Sequence, residues 1–365
     1  MSLHCGIIGI TNTGKTTLFN CMSNTKAEST SFAFSTNKSN IGMVNVPDYR
    51  LNELAKLVNP RKVVPATVEF VDIPGLAKGS SKGEGVGNSF LSDIRDADAL
   101  IHVLRCFDDD NLPHIDGSVN PVRDLETIDL ELQVKDLESV EKKIHRLEKV
   151  AKSGDKEAKN GIEILNIYQQ HLESFENARS APVKLEDRKH VEDLFLLSMK
   201  PVMYVCNVDE ASAAKGNEYV EEVKKALAGK DAEILVIAGA MEADIAELED
   251  ENDRKEFLDD IGLGEPGVNK LIRSAYKMLN LMSFFTAGPK EVKAWTIRRG
   301  STAPEAAGAI HSDLQRGFIR AEVMKYNDLV EYKSEAACKE VGKFYIEGKN
   351  YIVEEGDILH VRFNV

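Results

Sequence analysis

Short apolar runs alternate with longer amphipathic segments through the first two thirds of the chain. Most of these runs are separated by segments with apolar residues at helical spacing, which is typical of helices that cover a sheet. This alternation predicts an α/β fold built on a mostly parallel sheet, with helices on both of its faces. The runs predicted to be strands are Cys5–Ile10, Val68–Val71, Ala99–Leu104, Val202–Cys206 and Ile234–Ala238.

The segment between the third and fourth of these runs, residues 124–200, is too long for a simple crossover connection. Its apolar residues step by three and four in two stretches, and Ser153-Gly154-Asp155 interrupts the pattern between them. Two long helices around a short break predict an antiparallel, coiled-coil-like hairpin. The apolar face is expected to hold Leu130, Val134, Leu137, Val140, Ile144, Leu147 and Ala151 in the first helix, and Leu165, Tyr168, Leu172 and Phe175 in the second.

The pattern changes again from Phe284, where strand-like and helical segments become shorter. Residues 303–324 are predicted to be mostly helical, and Val292–Arg298, Phe344–Ile346, Asn350–Val353 and Ile358–Phe363 to be strands. These features indicate a compact β-grasp domain. We therefore expect an α/β domain formed by residues 1–123 and 200–283, a helical insertion at residues 124–199, and a C-terminal domain at residues 284–365.

Composition is that of an ordinary soluble globular protein, with 42% hydrophobic and 29% charged residues among 365. No apolar run approaches the roughly 20 residues that span a bilayer, and the N-terminus lacks a secretory pattern. The five cysteines are scattered without a C-x-x-C pair, which favours buried thiols in a reducing cytoplasm. We therefore expect a cytoplasmic location without membrane association; the oligomeric state is left open, with a monomer favoured.

Charge is distributed unevenly along the chain, whose formal net charge is −14. This excess argues against nucleic-acid binding by the whole surface. Residues 285–365 contain 12 basic and 12 acidic residues, so the excess negative charge lies in residues 1–284, and local basic patches in the neutral C-terminal part can still contact RNA. The hairpin also carries many basic residues interleaved with acids. These basic residues form either a solvated surface of i, i+4 ion pairs or an electrostatic docking arm at the hairpin tip. They are Lys142, Lys143, Arg146, Lys149, Lys152, Lys156 and Lys159.

A complete phosphate-binding motif lies at residues 9–16, which read Gly-Ile-Thr-Asn-Thr-Gly-Lys-Thr. Gly9 and Gly14 allow the backbone to curl so that its N–H groups face phosphate oxygens, and Lys15 supplies positive charge. A predicted strand precedes the motif and a predicted helix follows it, which is the context this motif requires. The phosphate-binding candidates here are Asn12, Thr13, Gly14, Lys15, Thr16 and Thr17, and Lys15 is also a candidate catalytic residue.

A second motif, Asp72-Ile-Pro-Gly75, follows the next predicted strand. Asp72 is placed to hold Mg²⁺ through water, and the N–H of Gly75 can approach the γ-phosphate because no side chain intervenes. The polar loop between the two motifs contains Thr36, which suits a further Mg²⁺ contact. We therefore expect Thr16, Thr36 and Asp72 as the metal ligands.

The position of the base-reading motif is occupied by Asn207-Val208-Asp209-Glu210 instead of the Asn-Lys-x-Asp of GTPases. Asn207 can still serve a purine, but Glu210 is one methylene longer and would be displaced from the guanine edge. A mismatched buried polar contact costs roughly 1–3 kcal/mol, which is enough to erase a preference for guanine. Alternatively, Glu210 faces solvent and the backbone sets specificity.

The residue after Asp-x-x-Gly is often a glutamine that orients the attacking water in small GTPases, but here it is Leu76. Either hydrolysis is slow or another group supplies the contact. His114 is a candidate, since it lies in the polar loop after the Ala99–Leu104 strand and a neutral imidazole can position water. The alternative is an exposed loop histidine without a catalytic role.

With these motifs in place, the chain resembles the YchF group of Obg-like ATPases, in the TRAFAC class of P-loop proteins, essentially from end to end. The most specific stretch is the glycine- and lysine-rich segment from Asp72 to Asn88. Other matching segments are Ile101–Phe107, Asn207–Glu210, Glu242–Glu247, Lys293–Thr296 and Gly308–Phe318.

The resemblance implies an OBG-type G domain, a coiled-coil insert and a C-terminal TGS domain, with Mg²⁺-dependent hydrolysis of ATP in preference to GTP. It implies adenine binding near Asn207, Val208 and the Ala238-Gly239-Ala240 segment, and a role for His114 in hydrolysis. It also implies association with the ribosome, through ribosomal RNA or proteins, in translation or stress responses.

Three segments depart from the usual family pattern. This chain has Ile10–Thr13 where the family usually has Leu-Pro-Asn-Val, and its segment 32–40 differs from the usual first switch. It also has Pro74 in place of the usual alanine. The phosphate and Mg²⁺ ligands persist, so these changes bear on loop mobility, the balance between adenine and guanine, and any activating monovalent ion.

Three functions follow as hypotheses. The first is a slow, Mg²⁺-dependent ATPase whose conformation cycles on a ribosomal or RNA-containing partner. The second is a GTPase with the same fold. The third is a scaffold in which nucleotide is a ligand switch and hydrolysis is incidental.

Overall fold

A computed structural model of the chain describes residues 3–23, 39–75 and 86–364. These residues form two compact units. The first comprises Met1–Gly42 and Glu69–Leu271, and the second comprises Met43–Val68 and Ile272–Val365. The domain boundaries expected from the sequence are a different division of the chain and stay a prediction.

Twelve strands and thirteen helices occur in the described residues. The strands are β1 (His4–Ile8), β2 (Asn40–Asn45), β3 (Lys62–Val64), β4 (Thr67–Asp72), β5 (Ala99–Arg105), β6 (Val202–Asn207), β7 (Glu233–Ile237), β8 (Leu281–Ala287), β9 (Glu291–Arg298), β10 (Phe318–Lys325), β11 (Tyr345–Glu347) and β12 (Asp357–Phe363). The helices are α1 (Lys15–Ser23), α2 (Tyr49–Val58), α3 (Val86–Asp96), α4 (Pro121–Ala151), α5 (Lys156–Glu173), α6 (Glu218–Ala226), α7 (Gly239–Glu247), α8 (Glu251–Asp260), α9 (Gly267–Met278), α10 (Ala303–Ile310), α11 (Ser312–Arg316), α12 (Tyr326–Tyr332) and α13 (Glu335–Glu340).

The first sheet has the strand order β2-β4-β1-β5-β6-β7, and the pairs from β4 through β7 are parallel. All five runs predicted to be strands lie in this sheet, so the predicted α/β architecture is confirmed. Strand β5 is buried along its whole length, as expected for a central strand covered on both faces. The carboxyl ends of β1, β4, β5 and β6 therefore lie at one edge, where α/β sheets bind ligands.

Helix α4 is a single helix of 31 residues that begins with Asn120 as its N-cap, whose side chain accepts from Arg123 N at 2.9 Å. The break predicted around Gly154 is confirmed, because α4 ends at Ala151 and α5 begins at Lys156. Gly154 has a φ of 91°, which a left-handed turn residue requires and glycine adopts without strain.

The predicted apolar face of α4 is wrong in its first half, since Leu130 and Val134 are 42% and 39% exposed. Helix α4 changes its packing partner along its length, so its buried face rotates and one continuous stripe cannot describe it. The first half packs Leu125, Ile128 and Leu132 in the cores of the sheet. The second half packs against α5, in a cluster that includes Val140, Ile144, Leu165, Tyr168 and Leu172.

Between these two halves, Asp136 is buried at 2% exposure. Its carboxylate accepts from Leu197 N and Ser198 N, each at 2.7 Å, and from Ser198 Oγ at 2.6 Å. Burial raises the pKa of Asp136 to about 6, against the opposing effect of these donors. The side chain fixes the start of the segment that leads into β6.

The second unit contains a mixed sheet in the order β11-β10-β12-β8-β9-β3. Strand β3, from residues 62–64, pairs in parallel with β9, a partnership between distant parts of the chain that the sequence pattern did not indicate. Helix α10 packs on this sheet in a cluster that includes Phe284, Ile297 and Ala307.

Two predictions for this unit are wrong. The predicted helical stretch 303–324 ends at Arg316 and continues as β10, where a register irregularity between Phe318 and Arg320 breaks the alternation that would have indicated a strand. Residues 350–353 form only an isolated bridge, between Ile352 and Thr302.

The cysteines and the apolar helices bear on two expectations drawn from composition. Four of the five cysteines, Cys5, Cys106, Cys206 and Cys338, are buried free thiols. Among the described residues, no helix combines the length and the apolar character needed to cross a membrane.

We expect Asp136→Asn to lower the free energy of unfolding by about 1–3 kcal/mol, because an amide group would present a donor to donors that now bond to a carboxylate. Denaturant unfolding at pH 7.5, followed by circular dichroism, measures this change. Asp231→Asn, at an exposed aspartate, is the matched control. A change below 0.5 kcal/mol in Asp136→Asn would contradict the role given to this carboxylate.

Candidate nucleotide-binding site

The loop between β1 and α1 has the backbone shape of a phosphate-binding loop. Asn12 and Gly14 have φ values of 61° and 92°, both in the left-handed region. The Thr13 hydroxyl, buried at 1% exposure, donates to the Ile10 carbonyl at 3.3 Å. Helix α1 begins immediately afterwards, so its free N-terminal amides face the loop, where anions bind favourably.

Lys15 lies under this loop with 7% of its surface exposed, and its Nζ donates to the Ile10 carbonyl at 2.6 Å. Burial lowers the pKa of Lys15 to about 8, and the nearby Asp72 carboxylate opposes this effect. An ammonium group has three donors, so donors remain for an anion. The position therefore suits a phosphate group.

Thr16 and Asp72 provide adjacent oxygen atoms at the base of the loop. The Thr16 hydroxyl donates to Asp72 Oδ2 at 2.8 Å. Asp72 Oδ1 is buried and has no hydrogen-bond partner in the part of the chain that the structure describes. Burial raises the pKa of Asp72, while Thr16 and Lys15 act in the opposite direction. A hydroxyl beside a carboxylate with a free buried oxygen could hold a hard cation such as Mg²⁺. The third predicted ligand, Thr36, lies outside the described residues.

Gly75 lies against the phosphate loop. A Cβ at this position would be 2.9 Å from Thr11 N and 3.1 Å from Lys15 Nζ, closer than side-chain carbons normally approach. The segment after β4 therefore packs beside the lysine only because residue 75 is glycine. Leu76, which follows it, lies outside the described residues.

Asn207, at the end of β6, joins the phosphate loop to α7. Its Nδ2 donates to the Thr13 carbonyl at 2.9 Å, and its Oδ1 accepts from Gly239 N at 2.8 Å. A Cβ on Gly14 would lie 2.2 Å from Asn207 Nδ2, so this glycine is required by the amide as well as by its own φ. The side chain thus fixes the shape of the phosphate loop from a neighbouring strand.

The other predicted base contacts surround Asn207 but differ in exposure. Val208 is buried at 3%, within the core cluster beside α7, so its side chain is committed to packing. Glu210 is exposed at the start of a short 3-10 turn, and Asp209 Oδ1 caps that turn by accepting from Ser212 N at 2.9 Å.

Three predicted base-binding residues lie at the start of α7. Ala238 and Gly239 are buried there, and Ala240 is exposed. The roles of all these residues in holding a base stay predictions.

The buried side chain of Arg105, which is only 2% exposed, holds the loop after β5 in place. Its guanidinium donates to the carbonyls of Phe107 at 3.1 Å, Leu112 at 2.7 Å and Asp109 at 3.3 Å. The group also lies 4.9 Å from the centroid of the Phe107 ring, a cation–π contact. One buried side chain therefore fixes the start of the loop that carries His114.

The same loop is joined to the phosphate loop, because Asn12 Nδ2 donates to the Pro113 carbonyl at 3.0 Å. His114 follows directly, so the histidine and the phosphate loop are neighbours in space although about 100 residues separate them. Neither the role of Arg105 nor this contact was predicted from the sequence. A lone arginine in the apolar run Ala99–Cys106 was the only signal for Arg105.

The side chain of His114 is 3% exposed, so the exposure expected under the alternative of a loop histidine is wrong, whereas the absence of a catalytic role stays untested. Its Nε2 lies 3.0 Å from Asp124 Oδ2, and its Nδ1 accepts from Asp116 N at 3.1 Å. In this arrangement Nδ1 is the acceptor and Nε2 faces the Asp124 carboxylate as the donor. Arg123 also bonds to Asp124, at 3.0 Å. For His114 to reach water or phosphate, its ring must exchange one of these partners, so its catalytic role stays a prediction.

We expect Asn207→Asp to weaken nucleotide binding by at least tenfold, because a carboxylate oxygen would replace the donor that faces the Thr13 carbonyl. Titration calorimetry with Mg²⁺ and a slowly hydrolysed ATP analogue measures the effect. The exposed Asn252→Asp, on α8, is the control for the added charge. Wild-type affinity in Asn207→Asp would show that the bridge does not shape the loop.

Comparisons with known proteins agree with this geometry. A family model described as "50S ribosome-binding GTPase" matches residues 4–166, and a YchF-type GTPase C-terminal model, described as "Protein of unknown function (DUF933)", matches residues 281–364. Proteins named Ribosome-binding ATPase YchF are 49% identical in Bacillus subtilis, over 367 residues, and 47% identical in Escherichia coli O157:H7, over 365 residues. Both alignments cover 100% of this chain and of the relative.

Solved structures give the same result. The YchF GTPase of Schizosaccharomyces pombe matches with a TM-score of 0.87 and 34% identity, over 99% of this chain and 98% of that one. A GTP-binding protein from Pyrococcus horikoshii OT3 matches with a TM-score of 0.61 and 18% identity, over 99% of this chain and 100% of that one, which supports the fold alone. The resemblance found in the sequence is confirmed, and the chain belongs to the YchF family.

Proposed function

We propose that this chain is a Mg²⁺-dependent ATPase that works as a slow conformational switch in association with ribosomes. The observation that carries the proposal is the convergence of Lys15, Thr16, Asp72, Gly75 and Asn207 on one loop at the carboxyl edge of the sheet. Support for the substrate and the partner comes from full-length bacterial relatives that are named ribosome-binding ATPases. A ribosomal partner implies that the protein acts in the cytoplasm, in translation or in stress responses.

Thr16 and Asp72 would hold the Mg²⁺ ion, and we propose Thr36 as a further ligand. When bound, the ion would neutralise charge on the β- and γ-phosphates. The free buried oxygen of Asp72 fits this assignment, because it would gain a partner from the ion or from an ion-bound water. Lys15 and the amides of residues 12–17 would hold the phosphate oxygens themselves.

Slow hydrolysis is part of the proposal because both ring nitrogens of His114 already have partners. We propose that the ring exchanges its bond to Asp124 for a water molecule or a phosphate oxygen when hydrolysis occurs. The contact between Asn12 and Pro113 gives the phosphate loop a direct link to this event. Nucleotide binding would therefore shift the loop between two hydrogen-bonded arrangements.

A GTPase is the second candidate. It is favoured by the description of the family model that covers residues 4–166 and by the yeast relative, which is called a GTPase. Asp209 and Glu210 also place two exposed carboxylates directly after Asn207 and Val208. We favour ATP because Asp209 caps its own turn, and because Glu210, which stands at the position of the usual aspartate, is one methylene longer and would be displaced from the guanine edge.

We expect ATP to bind at least tenfold more tightly than GTP in the presence of Mg²⁺, and Lys15→Ala to lose both ligands, because the ammonium contacts phosphates and not the base. Competition calorimetry measures both effects. Lys255→Ala, at an exposed lysine of α8, is the control. Tenfold tighter binding of GTP would favour the GTPase over the ATPase, and full binding by Lys15→Ala would refute the site.

We expect His114→Ala to lower the rate of ATP hydrolysis by about 100-fold or more, with ATP affinity unchanged, because the imidazole acts on water and not on the bound nucleotide. Single-turnover hydrolysis on the intact chain, with and without ribosomes, measures the rate. His145→Ala is the control, since that side chain is 85% exposed. An unchanged rate in His114→Ala would assign His114 a structural role. Absence of γ-phosphate cleavage by the wild-type chain would favour a nucleotide-gated scaffold.

A further inference from the structure

The tip of the helical hairpin, which comprises the end of α4, the turn at residues 152–155 and the start of α5, carries a group of exposed lysines. We call this group the lysine tip. The turn is open, since a Cβ on Gly154 would meet no atom within 4 Å. In the described part of the chain, none of these four side chains has an ion pair or a hydrogen bond. The lysine tip consists of Lys149, Lys152, Lys156 and Lys159.

The basic residues of α4 that precede the lysine tip are paired. Lys143 bonds to Asp193 and donates to the His190 carbonyl at 2.7 Å. Arg146 lies 3.6 Å from Asp193, and Lys142 lies 3.8 Å from Glu138. The hypothesis of an ordinary surface of ion pairs therefore describes residues 142–146 of α4, but it does not describe the lysine tip.

The acidic residues of the tip offset only part of the positive charge of its lysines. The acidic residues between Lys149 and Lys159 are Asp155, which caps α5 by accepting from Ala158 N at 2.8 Å, and Glu157, so the four lysines leave this segment a net charge of +2. Lys156 and Lys159 are three residues apart in the first turn of α5, so two like charges lie close together at the helix end that favours negative charge. This local excess of positive charge, on a chain with net charge −14, thus does not stabilise the start of α5 and indicates a role in binding.

We propose that the lysine tip docks on the phosphate backbone of RNA. This inference rests on the proposed association with ribosomes and names a surface for it. A row of flexible point charges suits evenly spaced phosphates and needs no base contacts. A protein partner would usually need an apolar interface core, but Val150 is the only exposed large apolar residue in segment 141–163, at 45% exposure.

The lysine tip is far from the nucleotide site along a single helix. Asp124, which holds His114, lies in the first turn of α4, and Lys149 lies in its last turn. At 1.5 Å per residue, about 37 Å of helix separates the two. Substitutions at the tip should therefore leave nucleotide affinity unchanged, which allows RNA docking to be tested independently of the nucleotide site.

The test uses the intact chain and a 20-base-pair RNA duplex, with binding measured by fluorescence anisotropy from 50 to 300 mM KCl. The tip variant replaces all four lysines of the lysine tip by Gln. A control variant carries the same change of charge at four lysines that pair with glutamates on their own helices. It combines Lys56→Gln, Lys142→Gln, Lys224→Gln and Lys339→Gln. A third variant replaces the four tip lysines by Arg.

We expect the tip variant to bind at least tenfold more weakly at 100 mM KCl, and its slope of log K against log salt to be smaller in magnitude by about 3, since each lost phosphate contact removes about 0.7–0.9. The control variant should stay within twofold of wild type, and the Arg variant should retain binding. Unchanged ATP-analogue affinity in all three variants verifies folding.

Equal losses in the tip and control variants would overturn the proposal, because only the overall charge would then matter. Loss of binding in the Arg variant would also overturn it, because a phosphate contact needs the charge and not the lysine itself. Sedimentation with ribosomes separates this inference from the proposed function. If wild type does not sediment with ribosomes, the proposed function fails; if the tip variant sediments like wild type, the docking surface fails.

Discussion

The side-chain amide of Asn207 is the contact on which the rest of the site depends. It satisfies the Thr13 carbonyl with its nitrogen and Gly239 N with its oxygen, so both ends of a buried amide are paired. The phosphate loop consequently takes its shape from a neighbouring strand as well as from its own glycines. Gly14 is required twice over, by its left-handed φ and by the amide that occupies the space of a Cβ. Lys15, Thr16 and Gly75 then have fixed positions around one volume that suits phosphates and a hard cation.

A second group of contacts links this site to the helical hairpin. Arg105 holds the loop after β5 by donating to its backbone carbonyls. Asn12 joins that loop to the phosphate loop by donating to the Pro113 carbonyl. Asp124, in the first turn of α4, holds the ring of His114. A single helix therefore runs from the side chain that restrains the histidine to the lysine tip.

The sequence predicted those features that depend on residues close together in the chain. The phosphate loop, Asp72 and Gly75 were identified because a short motif fixes both their chemistry and their position, and the five strands because buried runs have a clear pattern. Arg105, Asp124 and the Asn207–Thr13 bond were missed because they depend on contacts between distant segments.

Two of the three wrong predictions of local pattern have a physical reason in the structure. Leu130 and Val134 match a helical stripe, yet α4 changes its packing partner midway and exposes them. Strand β10 lies in the stretch predicted to be helical, because the irregularity at Phe318–Arg320 interrupts the alternation typical of a strand. Amide hydrogen exchange, read by mass spectrometry on the intact chain with and without Mg²⁺ and a slowly hydrolysed ATP analogue, tests the central claim most directly. The account predicts nucleotide-dependent protection at residues 9–17, 106–116, 207–210 and 238–240, and the absence of protection at residues 9–17 would contradict it.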